Sequence, residues 1–345
     1  MKDSTNNSAS SAEKERVLTA LQSLVDEDFP AALATVRDPQ GNTTSAVAGT
    51  GNLETGEAPP LDGEVRIGSN TKTFVAVVIL QLVQEGKITL DEPIGGLPEY
   101  TDTVPGETDI FQIRDNYYST RDLLDVALSK PAAFEPGSQF RYTNTNYIVL
   151  TLLAEKVTHR PLAEQITQRI IEPLGLAHTY YPNPGEEEIR GTHPHGYHRN
   201  TPTENWQDIT RMDPSWAGGA GAMISTPSEL GTFIQATLNG TLLTQDSINE
   251  MKKTVDTSNL SGVPGSGYGL GIFSMPLSCG TAWGHSGGIP GYTTQNMVGP
   301  DGTAVTIAGT APLQAIVDPS DTAAVQQKAK LMPDAVDSLL CKRQG

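Results

Sequence analysis

Glu64-Val65-Arg66-Ile67-Gly68-Ser69-Asn70-Thr71-Lys72-Thr73-Phe74-Val75 is the stretch on which the fold turns. Residues 64–68 read as a short extended segment, and from Thr73 to Glu85 the apolar positions Val75, Val78, Ile79, Leu82 and Val83 recur with helical spacing. Ser69 therefore stands where a strand-like segment becomes a helix, and Lys72, three residues on, shares its helical face. A serine hydroxyl is a weak nucleophile at neutral pH and needs an adjacent base; a lysine whose charge is discouraged by burial can serve. Backbone N–H groups at the helix start favour a developing oxyanion. Alone the motif is cheap, since an average chain of this length holds about one Ser-x-x-Lys by chance. Its plain reading is an N-cap serine followed by a solvated lysine.

Working outward, residues 1–11 are polar and Ser/Asn-rich, which predicts a disordered tail before a helix from about Ala12 to Val25. Ala31 to Val36 and Thr44 to Ala48, separated by Asp38-Pro39-Gln40-Gly41-Asn42, predict a hairpin. From about Ile94 to Asn239 the chain reads as helix and loop, with helices at Thr120–Leu128, Tyr147–Thr158 and Pro227–Leu238. Strand signals return at Tyr268–Met275, Thr293–Val298 and Val305–Gly309, and a last helix is expected from Thr322 to Leu340. Strands from both ends with helices between them predict an α/β (α+β) fold: a mostly antiparallel sheet flanked by helices, completed by both termini, with a helical insertion at about 94–239. Residues 12–345 form one catalytic domain in this reading, its cleft between sheet and insertion.

The composition narrows the function. Twenty-three basic against forty acidic residues give a formal net charge of −17, which disfavours nucleic acid and anionic membrane partners and favours a small-molecule or peptide substrate. No apolar run approaches the roughly 20 residues that cross a bilayer, and the start, MKDSTNNSASSAEKE, has no apolar core like that of a signal peptide. A monomer is expected, with no cofactor and no metal. His193, His195 and His198 lie within six residues of one another, yet no His-x-x-x-His or Cys-x-x-Cys accompanies them. Cys279 and Cys341 bracket the C-terminal portion. They read either as two buried thiols or as a disulfide closing a loop of about 60 residues, which would contribute about 4 kcal/mol in an oxidising compartment.

Two further elements join Ser69 and Lys72. Tyr142-Thr143-Asn144 lies in a loop just before an apolar helix, where a phenol can be held against the Ser–Lys pair. Tyr181-Pro182-Asn183 has the same spacing without that context. His285-Ser286-Gly287-Gly288 supplies glycines that let a substrate approach a strand edge.

In that order the three runs resemble the Ser-x-x-Lys, Tyr-x-Asn and His-x-Gly motifs of the serine β-lactamase and D-alanyl-D-alanine carboxypeptidase superfamily, which includes class C β-lactamases and related esterases. The likeness extends to Gln84-Glu85-Gly86-Lys87-Ile88-Thr89-Leu90-Asp91, Ser215-Trp216-Ala217 and Gly267-Tyr268-Gly269-Leu270-Gly271, and covers roughly residues 15–341. It implies a serine hydrolase that forms an acyl-enzyme from a peptide, amide, ester or β-lactam. Ser69 would be acylated, Lys72 and Tyr142 would share the proton transfers as a coupled pair, Asn144 would hold the substrate amide and Lys72, and His285 would support Tyr142. Backbone N–H groups of Ser69 and Gly288 would form the oxyanion hole, with Trp216, Ser286, Gly287 and Gly288 beside the substrate. The resemblance also implies a Cys279–Cys341 disulfide, and with it an extracellular or cell-envelope setting, although the absence of a signal peptide leaves the cytoplasm open.

The pattern departs in two places. After Leu90-Asp91-Glu92-Pro93-Ile94 a stretch usual in the superfamily is missing, and the chain runs directly into Gly95-Gly96-Leu97-Pro98-Glu99-Tyr100. The strand before Cys279 reads Gly271-Ile272-Phe273-Ser274-Met275, without the arginine that would hold a substrate carboxylate, and Gly288 replaces a threonine. Two alternatives stand beside the hydrolase: a non-hydrolytic penicillin-binding or sensor homologue, and an esterase or acyltransferase of the same fold.

Overall fold

The computed structural model describes residues 3–90, 96–104, 109–258 and 263–341; the junction at Ile94 lies outside them. Helix α1 (Asp3–Asp26) leads into β1 (Ala31–Arg37) and β2 (Thr43–Gly49). The remaining strands of the main sheet come from the second half of the chain: β3 (Val255–Asp256), β4 (Gly267–Tyr268), β5 (Phe273–Leu277), β6 (Gly280–Ile289), β7 (Tyr292–Val298) and β8 (Ala304–Gly309). They assemble as one eight-stranded sheet in the order β2-β1-β8-β7-β6-β5-β4-β3, every pair antiparallel. The chain's first hairpin thus docks on its last strand, through Ala32 opposite Gly309. β1 and β8 are buried on both faces, which is why they read as Ala- and Val-rich runs without polar alternation.

One face of the sheet is covered by the terminal helices, α1 together with α7 (Leu331–Leu340). The other packs on α5 (Pro227–Leu238). Beyond it lies the helical part, which includes α2 (Thr71–Gln84), α3 (Thr120–Leu128) and α4 (Thr145–Thr158). α2 is buried on nearly every side, as its almost continuous apolar sequence requires. α3 and α5 begin with side-chain caps from Ser119 and Thr226.

Two expectations are corrected. The first helix begins at Asp3 rather than Ala12, because extending a formed helix adds a hydrogen bond per residue and Ser and Asn cost it only tenths of a kcal/mol each. The last helix is two, α6 (Thr322–Lys328) and α7. Pro333 has no N–H to give to the carbonyl of Ala329, so the ladder breaks there. No helix among the described residues is long and apolar enough to cross a membrane.

Candidate active site

Ser69 sits on a 3₁₀ turn, Gly68–Asn70, that runs straight into α2. The turn is pressed against β6 so closely that side chains are excluded on both sides. Gly68 has φ of 50° and a Cβ there would lie 2.8 Å from the Gly288 nitrogen, while a Cβ on Gly287 would lie 2.0 Å from the Ile67 carbonyl oxygen. Asn70 Nδ2 pins the crossing by donating to Thr294 Oγ1 at 2.8 Å, and that hydroxyl donates to Ile67 O at 3.1 Å.

One helical turn on, Lys72 Nζ donates to Ser69 Oγ at 2.9 Å, Asn144 Oδ1 at 2.8 Å and the Ala220 carbonyl at 2.7 Å. The side chain is wholly buried and none of these partners carries a charge. Burial therefore pulls the amine from 10.5 down to about 7, against the opposing pull of the Glu99 carboxylate acting through space. Glu99 is itself engaged in the loop, accepting from the Asn144 backbone N–H at 2.7 Å and from that of Thr101 at 3.2 Å. Its place was not visible in Leu97-Pro98-Glu99-Tyr100, which carries no pattern.

Tyr142 is half-buried beside this pair, with Lys72 Nζ 5.1 Å from its ring centroid. Burial pushes its phenol up, partly offset by a hydrogen bond with the Ser69 hydroxyl. The second Tyr-x-Asn run, at Tyr181, lines a separate cleft of ≈410 Å³ in the helical part.

His285 is buried on β6 and its hydrogen bonding defines its state. Nδ1 lies 2.5 Å from Ser286 O; a carbonyl only accepts, so Nδ1 carries the proton. Burial first, and the Lys72 charge second, lower the imidazole to about 3, so the ring is neutral and Nε2 is an acceptor. Tyr268 Oη, at 3.2 Å, then donates to Nε2, and accepts from Tyr147 Oη at 3.1 Å. His285 therefore meets Tyr142 only through ring packing, 6.3 Å between centroids, because Tyr268 occupies the nitrogen that a hydrogen bond to Tyr142 would need. Tyr147 opens a predicted helix and Tyr268 stands in the Gly267–Gly271 run, but nothing in their spacing assigns them this chain of hydrogen bonds.

β6 pairs with β5 only as far as Gly284 opposite Phe273, whereas its pairing with β7 continues to Ile289. Ser286, Gly287 and Gly288 thus follow the last β5 pair and line, with Ser69 and Tyr142, one end of a cleft of ≈430 Å³. The cleft continues past Phe273, Ser274 and Met275 to Met332 on α7. Its one lining Lys or Arg among the described residues is Lys328, held by the Glu27 carboxylate at 2.6 Å. Trp216 is not part of this lining. Its turn, Ser215–Ala217, packs the indole against the core, the carbonyl accepts from Tyr100 Oη at 2.7 Å, and the buried indole N–H has no partner among the described residues.

Cys279 and Cys341 are bonded, with Cα atoms 5.4 Å apart, joining the β5–β6 turn to the end of α7. Of the clustered histidines, His193 Nδ1 meets Gly191 O at 2.7 Å and His195 Nδ1 meets Asp208 at 2.5 Å. Among the described residues no three His, Cys, Asp or Glu side chains are grouped to hold a metal ion.

Comparison with known proteins agrees with this architecture. A solved D-stereospecific amidohydrolase from Streptomyces sp. is 30% identical, with 95% of this chain and 99% of that one covered at a TM-score of 0.80. A D-amino acid amidase from Ochrobactrum anthropi SV3, solved with L-phenylalanine amide, shares the fold at 23% identity, a TM-score of 0.82 and coverage of 95% and 97%. Protein flp of Staphylococcus aureus is 26% identical over 136 residues, 33% of this chain and 27% of that protein, so the match spans only about a quarter of that relative. The family model described as Beta-lactamase matches residues 16–317, and the chain belongs to that family.

Proposed function

We propose that the chain is a serine acyl-transfer hydrolase acting on D-amino-acid amides or esters that lack a free carboxylate. The observation that carries the first half is Lys72: buried, hydrogen-bonded to Ser69, and lowered to about 7. In the neutral amine two N–H groups remain for the Asn144 and Ala220 oxygens, and the lone pair turns to the Ser69 hydroxyl. Ser69 Oγ attacks the scissile carbonyl carbon while its proton passes to Lys72 Nζ. The oxyanion falls to the N–H groups of Ser69 and Gly288. Collapse breaks the bond to the amine or alcohol, which leaves with a proton relayed through Tyr142, and Lys72 returns its proton to the Tyr142 oxygen. Tyr142, pushed up by burial, is a phenol rather than a phenolate at rest, so it fits the relay better than the base. Asn144 holds Lys72, and His285, kept neutral by burial and the Lys72 charge and hydrogen-bonded to Tyr268, stands behind the Tyr142 ring. Water attacking the ester on Ser69 completes hydrolysis by the reverse transfers.

The second half rests on what faces Ser69. A carboxylate entering the cleft loses hydration, and without a fixed cation or several donors that cost is not offset. β5 presents Phe273, Ser274 and Met275, and Lys328 already has Glu27. The 30% identity to a D-stereospecific amidohydrolase supports the same choice. In this reading one chain suffices, since Ser69, Lys72, Tyr142 and the β6 edge all belong to it, and the disulfide suits an oxidising compartment. The test compares D-alanine amide and methyl ester, D-Ala-D-Ala, and D-Ala-D-Ala with its carboxylate amidated, read for turnover and for mass gain on Ser69. Higher kcat/KM for the substrates without a carboxylate is expected. Strong preference for the free-acid dipeptide would overturn the substrate assignment in favour of a carboxypeptidase, and mass gain without turnover would point to a non-hydrolytic binding homologue.

A further inference from the structure

The second cleft, of ≈410 Å³, lies in the helical part, and no residue assigned to the chemistry at Ser69 lines it. It opens between α4, the helix Leu162–Ile166 and the chain that leads into α3. The short helix Gly218–Gly221 stands between the two sites: Gly218 lines this cleft, while the Ala220 carbonyl holds Lys72. The walls are firmly held. A Cβ on Gly219 would lie 2.1 Å from the hydroxyl of Thr151, which lines the cleft, and Tyr118 N–H donates to Ser215 Oγ at 2.8 Å.

Two independent features of the lining point to one kind of ligand. The first is aromatic: Tyr117, Tyr118 and Tyr181 all line the cleft, and the face of such a ring attracts a cation. The second is charge, since the lining holds Glu155, Glu164 and Asp213 but, among the described residues, no Lys, Arg or His. Glu164 stands 3.8 Å from Arg160. Glu155 and Asp213 have no ion-pair partner among the described residues, and each uses one oxygen on a backbone N–H: Glu155 Oε1 accepts from Leu162 at 3.1 Å and Asp213 Oδ1 from Ser215 at 2.8 Å. Asp213 is only 2% exposed. The Arg66 guanidinium acts on it through space but bonds instead to the Glu187 and Thr210 carbonyls. A buried carboxylate without a bonded counter-charge is costly, and here one borders an open cleft. Burial pushes the Tyr181 phenol up, and Glu155 and then Tyr117 push it the same way through space, so ring and carboxylate stand together.

We propose that this cleft is a binding site for a small organic cation, an ammonium group carrying an aryl or alkyl substituent. The ammonium lies between the Glu155 and Asp213 carboxylates and the Tyr181 ring, and its substituent packs on Leu162 and Pro182, which line the same space. Neutral ligands of the same shape gain the apolar contact alone, and anions meet three carboxylates.

The test is calorimetric titration of the full chain at pH 7 and low salt with benzylammonium, benzyl alcohol and benzoate, which share a ring and differ in charge. Benzylammonium is expected to bind about tenfold more tightly than benzyl alcohol, as a partly desolvated cation over an aromatic face does, and benzoate more weakly than either. Glu155→Gln keeps an acceptor for the Leu162 N–H and removes the charge. It should lower the preference for the cation at least threefold and leave turnover of D-alanine methyl ester within twofold. Equal affinity for benzylammonium and benzyl alcohol, a comparison that needs no substitution, overturns the proposal. A cation preference that survives Glu155→Gln unchanged also overturns it, because the ligand would then sit elsewhere.

Discussion

Replacing Lys72 by methionine shortens the side chain by one heavy atom and deletes its charge, and the consequence for stability has a definite pH dependence. In the folded chain burial lowers the amine from 10.5 to about 7, so between those values the unfolded chain binds a proton that the folded one does not. Stability from this group therefore increases as pH rises through about 7 and is complete only above about 10.5. At 1.36 kcal/mol per pH unit the full span is worth about 5 kcal/mol, and the part between pH 7 and 9 about 2 to 3 kcal/mol. Lys72→Met also leaves Asn144 Oδ1 and Ala220 O without their donor, a loss of about 1–3 kcal/mol each, but that loss does not vary with pH. The stability of the wild type minus that of Lys72→Met, from urea unfolding at pH 6, 7, 8 and 9, should thus be flat below pH 6.5 and climb by about 1.4 kcal/mol per pH unit above 7.5. The acylation rate should rise through the same pH, since it needs the free amine. A stability difference that is constant from pH 6 to 9 would mean that Lys72 is an ordinary solvated ammonium, and the assignment of a neutral amine as base would go with it.

Four further outcomes follow from named contacts. Ser69→Ala should abolish covalent labelling by a fluorophosphonate together with turnover, whereas Ser286→Ala should only raise KM; labelling that persists in Ser69→Ala would refute the nucleophile. Tyr142→Phe should lower kcat by 10²- to 10⁴-fold as loss of a proton-transfer group does, and Tyr181→Phe, in the other cleft, should leave it within twofold; equal rates would put the relay elsewhere. Met275→Arg places a cation on the strand facing Ser69 and should narrow the kcat/KM gap between esters and free-acid D-dipeptides at low salt; an unchanged gap would show that the missing charge is not what sets the preference. Cys279→Ser with Cys341→Ser opens a link spanning 62 positions and should cost about 4 kcal/mol on the chain-entropy model, read as a lower urea midpoint under oxidising conditions that the reduced wild type reproduces.

What was legible in the sequence was what is local or periodic, and the site shows where that stops. Ser69 and Lys72 are three residues apart, so their contact follows from spacing, but the burial of Lys72 does not, since a lysine at a helix start reads first as solvated. Tyr142 was separable from Tyr181 because it alone precedes an apolar helix. β6, the longest strand of the sheet, gave no strand signal, since Gly280, Gly284, Gly287 and Gly288 weaken the very propensities by which strands are recognised. At Gly287 the reason is non-local: the Ser69 turn crosses this strand so closely that a Cβ would lie 2.0 Å from the Ile67 carbonyl oxygen, whereas Gly284 faces the backbone of Asn296 on β7. The partners that set the chemistry of Lys72 and His285 are equally remote, Ala220 being 148 positions from Lys72 and Tyr268 17 from His285. One of them is a backbone carbonyl, which no residue type announces. Gln295 is the intermediate case. Period-two alternation puts it on one face with Thr293 and Met297, but only the placement of α7 decides whether that face is core or cleft. A polar residue in such a strand is a conflict if the face is core and a ligand contact if it is cleft. In the proposed reading, substrate preference depends less on the Ser69, Tyr142 and His285 motifs than on how the C-terminal helix stands over β7.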